Sequence, residues 1–135
     1  MAERIFKGVA GLDLAVTLPF ALPFIAEALI VGIYLLDGLL GLATPALYFE
    51  TGPFGMMFVH IMGVLGVVWA LARLRTPTAE LARMDAVARL VVAALIIYAI
   101  ASGATPILWL FVATEIGGSA LQFHALRNGR ALGTA

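Results

Sequence analysis

Two glutamates stand where glutamate is expensive. Glu115 lies in the apolar run 107–126, which holds no lysine, arginine or second acid, and Glu27 lies in the first long apolar stretch, 14–42. An ionisable side chain at the centre of a membrane-grade helix costs roughly 2.5 kcal/mol or more, so it usually has a partner and often a purpose. A carboxyl group in that position can transfer a proton, hold an amine or hydroxyl head, or tie one helix to another. Helical spacing arranges polar neighbours around both. Glu115, Ser119 and Gln122 follow i, i+4, i+7, a single stripe, and Pro23, Glu27, Val31 and Tyr34 do the same. At about 1.5 Å per residue, Glu27 and Glu115 fall in one midplane layer. Tyr34, His60 and Tyr98 fall in a second layer toward the outer face.

Two readings of these residues stand side by side. In one, Glu27, Tyr34, His60, Tyr98 and Glu115 line a partly polar cavity open to the outer leaflet, with Ser119 and Gln122 continuing the Glu115 stripe. That cavity suits a lipid-like molecule with an amine or hydroxyl head. In the other, a protonated glutamate donates to a carbonyl, a serine or the histidine and fastens the bundle. The second reading suits Glu27 as well, because Pro23 frees a nearby carbonyl that needs a donor. Two acids in one layer cannot both ionise cheaply.

Other chemistries find little footing. The chain has no cysteine, which removes disulfides, thiolate metal sites, iron–sulfur clusters and thiol nucleophiles together. His60 alone reads as a packing histidine, and His124, near Arg127, as interfacial. They lie toward opposite faces, so one haem ligated by both is not expected. Glu27, His60 and Glu115 include metal-ligand types but lack ligand spacing. No metal or cofactor is therefore expected. No nucleophile elbow, phosphate loop, dinucleotide fingerprint or zinc-protease helix is present. A net charge of zero argues against a nucleic-acid surface. Asp37 and Glu50 are expected at the outer interface, solvated, and Asp13 at the inner one. Asp85 and Arg89 read as an ordinary i, i+4 helix pair.

The elements that must position these residues are membrane helices. The chain is 63% hydrophobic and 12% charged, with mean hydropathy +1.07, whereas a soluble domain is nearer half apolar and a quarter charged. The expected fold is all-α, a single membrane domain over residues 1–135, with spans at about 18–40, 54–73, 85–102 and 106–126. The first stretch is too long for one untilted span and carries Pro19 and Pro23. Its N-terminal part is expected to lie at the interface, or the span to kink near Pro23. Arg4 and Lys7 before an apolar stretch suggest a signal peptide. The apolar character continues to Leu42, well beyond a signal h-region of roughly 7–15 residues, so the segment is read as a retained span. Thr76 with Pro77 reads as N-cap and first position of the third span, and Pro106 suits the first turn of the fourth.

Short connections favour antiparallel sequential neighbours, hence an up-down-up-down four-helix bundle. All eight basic residues fall on one side of that arrangement, so both termini are expected in the cytoplasm. Trp69 and Trp109 read as interface anchors, and Gly63, Gly66 and Ala70 as a smooth face for close packing.

Three passages give the layout a family likeness: LPFALPF at 18–24, VVWALARLRTPTAELARMDAVARL at 67–90, and GATPILWLFVATEIGGSALQ at 103–122. With them, this four-span chain resembles small bacterial DoxX-like membrane proteins and, more distantly, the EXPERA group of sterol-handling proteins. The resemblance implies a multi-pass protein of the bacterial cytoplasmic membrane. DoxX-like proteins are associated with respiratory or oxidative-stress complexes. EXPERA members bind or isomerise sterols with intramembrane acids, a role the likeness extends to Glu27 and Glu115.

The expected function is binding of a small hydrophobic or lipid-like molecule in an intramembrane cavity, without catalysis. The alternatives are a non-catalytic accessory subunit of a larger membrane complex and, behind it, a membrane isomerase using Glu27 or Glu115 as acid or base. Expected partners are a membrane lipid or small hydrophobic molecule, and a larger membrane complex or a second copy of the chain.

Overall fold

A computed structural model describes residues 2–42, 44 and 52–127. Glu50 and Arg130 lie outside them. The described chain is helical, with no strand among these residues: α1 (Ala2–Thr17), α2 (Ile25–Leu39), α3 (Gly52–Arg75), α4 (Ala79–Ala101) and α5 (Trp109–Arg127), with short 3-10 turns at Leu18–Ala21 and Pro106–Leu108. Three helical segments, Gly52–Arg75, Ala79–Ala101 and Pro106–Arg127, are long and apolar enough to cross a membrane. A fourth crossing is available if α1 and α2, bent by 102° at their break, act as one.

The break has a local cause. Pro23 lacks an N–H and pushes the residue before it out of the helical region. Leu22 is accordingly extended, at φ −104° and ψ 118°. Phe24 then opens α2 at φ 68°, a left-handed value that is rare for a bulky side chain. The kink expected near Pro23 is thus a full break over residues 18–24.

Two antiparallel registers organise the rest. The N-terminal segment runs against α3 in reverse: Asp13 meets Arg73, Thr17 abuts Gly66, Phe20 and Ala21 abut Gly63, and Glu27 meets His60. Helix α5 runs against α4 the same way, with Glu115 on Arg89, Ser119 on Ala86 and Gln122 on Asp85. Two glycines permit the first contact. A Cβ on Gly63 would stand 2.3 Å from the Ala21 nitrogen, and one on Gly66 2.8 Å from the Thr17 side chain.

Sequential neighbours do not all pack. Helix α4 lies along α5 and α1 along α3, but α3 and α4 barely touch despite the short connection at residues 76–78. Short loops are expected to make sequential neighbours pack; α3 and α4 instead meet through side chains, Trp69 and Arg73 on Asp85. Within the connection, Thr76 ends α3 by donating to the Ala72 carbonyl at 2.8 Å. Thr78, two residues later than expected, caps α4 by accepting from the Leu81 N–H at 3.2 Å.

The molecule is apolar outside and small or polar inside. Leu39 and Phe24 are 85% exposed, while Ala10, Ala26, Ala70 and Ala86 are fully buried, and Arg73, Asp85 and Gln122 are buried too. Helices packed through small residues, with large apolar side chains turned outward, suit a lipid surround.

Candidate functional site

Arg89 projects from α4 into the centre of the structure. Its Nε donates to Asp85 Oδ2 at 3.0 Å and its Nη1 to Glu115 Oε2 at 3.0 Å, while Nη2 donates to Asp13 Oδ2. Arg73, from the last turn of α3, donates to the same two aspartates, at 2.5 Å each. Asp85 gathers four donors, adding Trp69 Nε1 at 2.7 Å and Gln122 Nε2 at 2.6 Å to the two arginines. Four helices therefore meet at one ionic cluster. Gly118 makes room for it, since a Cβ there would lie 2.8 Å from Arg89 Nη1.

The physics explains why so many charges share one place. Each charge removed from water costs several kcal/mol after relaxation, and only partners with good geometry offset that. A carboxylate surrounded by two guanidiniums, an indole N–H and an amide meets that demand. An arginine this deep in an apolar helix needs acids from more than one neighbour, and α1, α4 and α5 each supply one.

Beside the cluster lies a cavity of about 780 Å³, lined mostly by apolar side chains. Its walls come from α1 and the turn after it, from Ile30 on α2, and from α3, α4 and α5. Asp13, Trp69, Arg73, Asp85, Arg89 and Glu115 form its polar floor. Met62 and Leu65 on α3 and Val92 on α4 line it and are largely exposed, marking a mouth between the two helices that do not pack. The volume is in the range of small-molecule sites, roughly 300–1,000 Å³.

A second polar pair sits at the chain break. His60 Nδ1 lies 3.0 Å from the Phe20 carbonyl, and Nε2 lies 3.4 Å from Glu27 Oε1. The carbonyl only accepts, so Nδ1 carries a proton. Nε2 points at the Glu27 carboxyl, so the ring bridges the break to the start of α2. The donor that the break requires is thus His60 rather than Glu27.

The residues singled out in sequence separate into different places. Glu115 lines the cavity. Ser119 and Gln122 lie below it, buried on the same stripe and bonded to α4. Glu27 and His60 pair with each other and do not line the cavity, so the two glutamates have different partners rather than a shared layer. Tyr34 is half-buried on α2, and Tyr98 is 72% exposed on α4. Neither is among the cavity residues.

Four simpler expectations are corrected. Asp13 is not a solvated interface residue, because both arginines hold it. Asp85 and Arg89 are far more than a surface helix pair, as both are buried. Trp69 turns its N–H inward to Asp85 instead of anchoring an interface. Asp37 is 2% exposed, not solvated. It accepts from the Thr44 N–H at 3.1 Å, from the Thr44 hydroxyl at 2.6 Å and from the Thr105 hydroxyl, tying the end of α2 to the α4–α5 connection.

A sequence signal for the cluster existed in depth. Arg89 is the basic residue well inside the expected span 85–102, and Glu115 is the acid well inside 106–126. Counted from the connection the two spans share, Arg89 and Glu115 differ in height by about one helical turn, within reach of an arginine side chain. No group of three or more histidine, cysteine, aspartate or glutamate side chains suited to a metal occurs among the described residues. The chain matches no protein-family model, and neither the curated proteins nor the solved structures compared with it gave a match.

Proposed function

We propose that this chain is a multi-pass protein of the bacterial cytoplasmic membrane that takes a hydrophobic or lipid-like molecule into the cavity between α3 and α4. The observation that carries this reading is the pairing of an apolar cavity with a mouth between two non-packing helices. In a bilayer such a mouth faces acyl chains, so a lipophilic molecule enters sideways without crossing water. The charged floor gives the cavity a polar end, as an amphiphile requires.

The proposed threading has four crossings, the first being the broken α1–α2 pair, with both termini in the cytoplasm. It is supported by the basic residues. With Arg73 and Arg89 engaged inside, Arg4, Lys7, Arg75, Arg83, Arg127 and Arg130 still share one side. In this arrangement the cluster lies in the cytoplasmic half of the membrane, because Arg73 is in the last turn of α3. The DoxX-like resemblance fits the threading and adds no ligand to it.

Native mass spectrometry of the protein released from mild detergent tests the binding. A lipid or lipophile adduct is expected on the wild-type chain and should be lost in Val92→Trp, which fills the mouth. It should persist in Leu95→Trp, since Leu95 is exposed on the same helix and outside the cavity lining. Equal adducts in both variants would place the bound molecule elsewhere and remove the reading.

A further inference from the structure

The floor of the cavity carries unequal charge. Three carboxylates, Asp13, Asp85 and Glu115, meet two guanidiniums, Arg73 and Arg89. Among the described residues these are all the charged side chains lining the cavity. One acid is therefore left without a cation of its own in a low-dielectric place, where either a proton or a bound cation must satisfy it.

Access is unequal too. The side chains of Arg73, Arg89 and Asp85 are 1%, 6% and 5% exposed, whereas those of Asp13 and Glu115 are 17% and 22% exposed. Asp13 and Glu115 each bond through one oxygen, Oδ2 and Oε2. Asp13 Oδ1 and Glu115 Oε1 accept from no described residue and are not among the occluded atoms. An entering head group thus meets carboxylate oxygens, with the guanidiniums buried behind them.

Resting on the binding reading above, we propose that the cavity selects a single-chain amphiphile with one protonated primary amine, its ammonium set between Glu115 and Asp13 and its tail along α3. An ammonium has three donors and no acceptor, which matches free carboxylate oxygens. It brings the one positive charge that the floor lacks. A zwitterionic lipid brings no net charge, a fatty acid deepens the excess, and an alcohol leaves it unanswered. The lining of α3 from Trp69 up to Phe58 covers about 16 Å at 1.5 Å per residue, a length that a dodecyl chain spans.

The experiment titrates dodecylamine, dodecanol and dodecanoate into the full chain in zwitterionic nanodiscs. Its readout is the emission of Trp69, which lines the cavity, in a Trp109→Phe background. Dodecylamine is expected to act saturably and at least about tenfold more tightly than dodecanol, with dodecanoate weakest. Glu115→Gln is expected to bring dodecylamine to within about threefold of dodecanol. Should Glu115→Gln fail to fold, the head-group order on the wild-type cavity decides alone. Saturable binding of all three without preference for the amine, or tightest binding of dodecanoate, overturns the head-group assignment and leaves the lipophile cavity standing. No saturable response from any of them overturns both.

Discussion

Arg89 and Glu115 are joined at 3.0 Å across the α4–α5 interface, and the pair is not symmetric in what each partner has besides. Arg89 also holds Asp13 and Asp85, while among the described residues Glu115 pairs with Arg89 alone. Glu115 is the acid in excess, and Arg89 is a cation the cluster cannot spare.

Removal of the two should therefore differ in cost. Arg89→Met strands three acids with one guanidinium. It is expected to destabilise by about 3–5 kcal/mol, the range for breaking a buried ion pair from one side. Glu115→Gln removes the surplus charge and keeps an oxygen for Arg89, so it is expected to cost less than about 1 kcal/mol. Unfolding of both variants in mixed SDS and mild detergent measures the difference. Equal losses would show that the charge count does not govern the cluster.

The membrane character and the α3–α5 helices were legible because apolar runs and their boundaries are local properties. The stripe Glu115, Ser119, Gln122 was legible for the same reason: helical period alone puts those side chains on one face, and all three do face α4. Their partners were not legible. Asp13 and Arg73 lie near helix ends in sequence, where charges ordinarily meet water. Their pairing with Asp85 and Arg89 of α4 makes them internal. The broken first segment had the same difficulty, since two prolines announce a bend but not that the bend exceeds a right angle. Asp37 was misplaced because its donors, Thr44 and Thr105, come from two different connections.

Close approach of the break to α3 gives a prediction about glycine. Gly63→Ala sets a methyl group against backbone atoms of Phe20 and Ala21 that a rotamer change cannot move. Overpacking of this kind costs about 1–3 kcal/mol. A methyl group on Gly117 would meet nothing within 4 Å, so Gly117→Ala should instead stabilise α5 by about 0.5–1 kcal/mol. Opposite shifts in thermal unfolding are expected, and a loss in both would mean that α5 packs through Gly117.

Phe24 gives the converse case. Its φ of 68° imposes strain on a bulky residue, of order 1–3 kcal/mol, that a glycine does not carry. Its ring is 85% exposed, so little packing is lost on truncation. Phe24→Gly is expected to raise the unfolding midpoint, whereas His60→Ala, which leaves the Phe20 carbonyl without its donor, should lower it. A fall in stability for Phe24→Gly would show that the ring, not the backbone, decides that position.

The proposed threading can be read from single cysteines, since the chain has none of its own. Thr76 and Ser102 are exposed at opposite ends of α4, at its junctions with α3 and α5. If α4 crosses the membrane with the basic connection inside, Ser102→Cys reacts in intact cells with a membrane-impermeant maleimide. Thr76→Cys should react only after the membrane is opened. The reverse pattern would invert the molecule, placing the ionic cluster in the outer leaflet. Labelling of both from outside would mean that α4 does not cross at all. The expected pattern would set Asp13 and Glu115, the carboxylates proposed to take the amine, toward the cytoplasmic side.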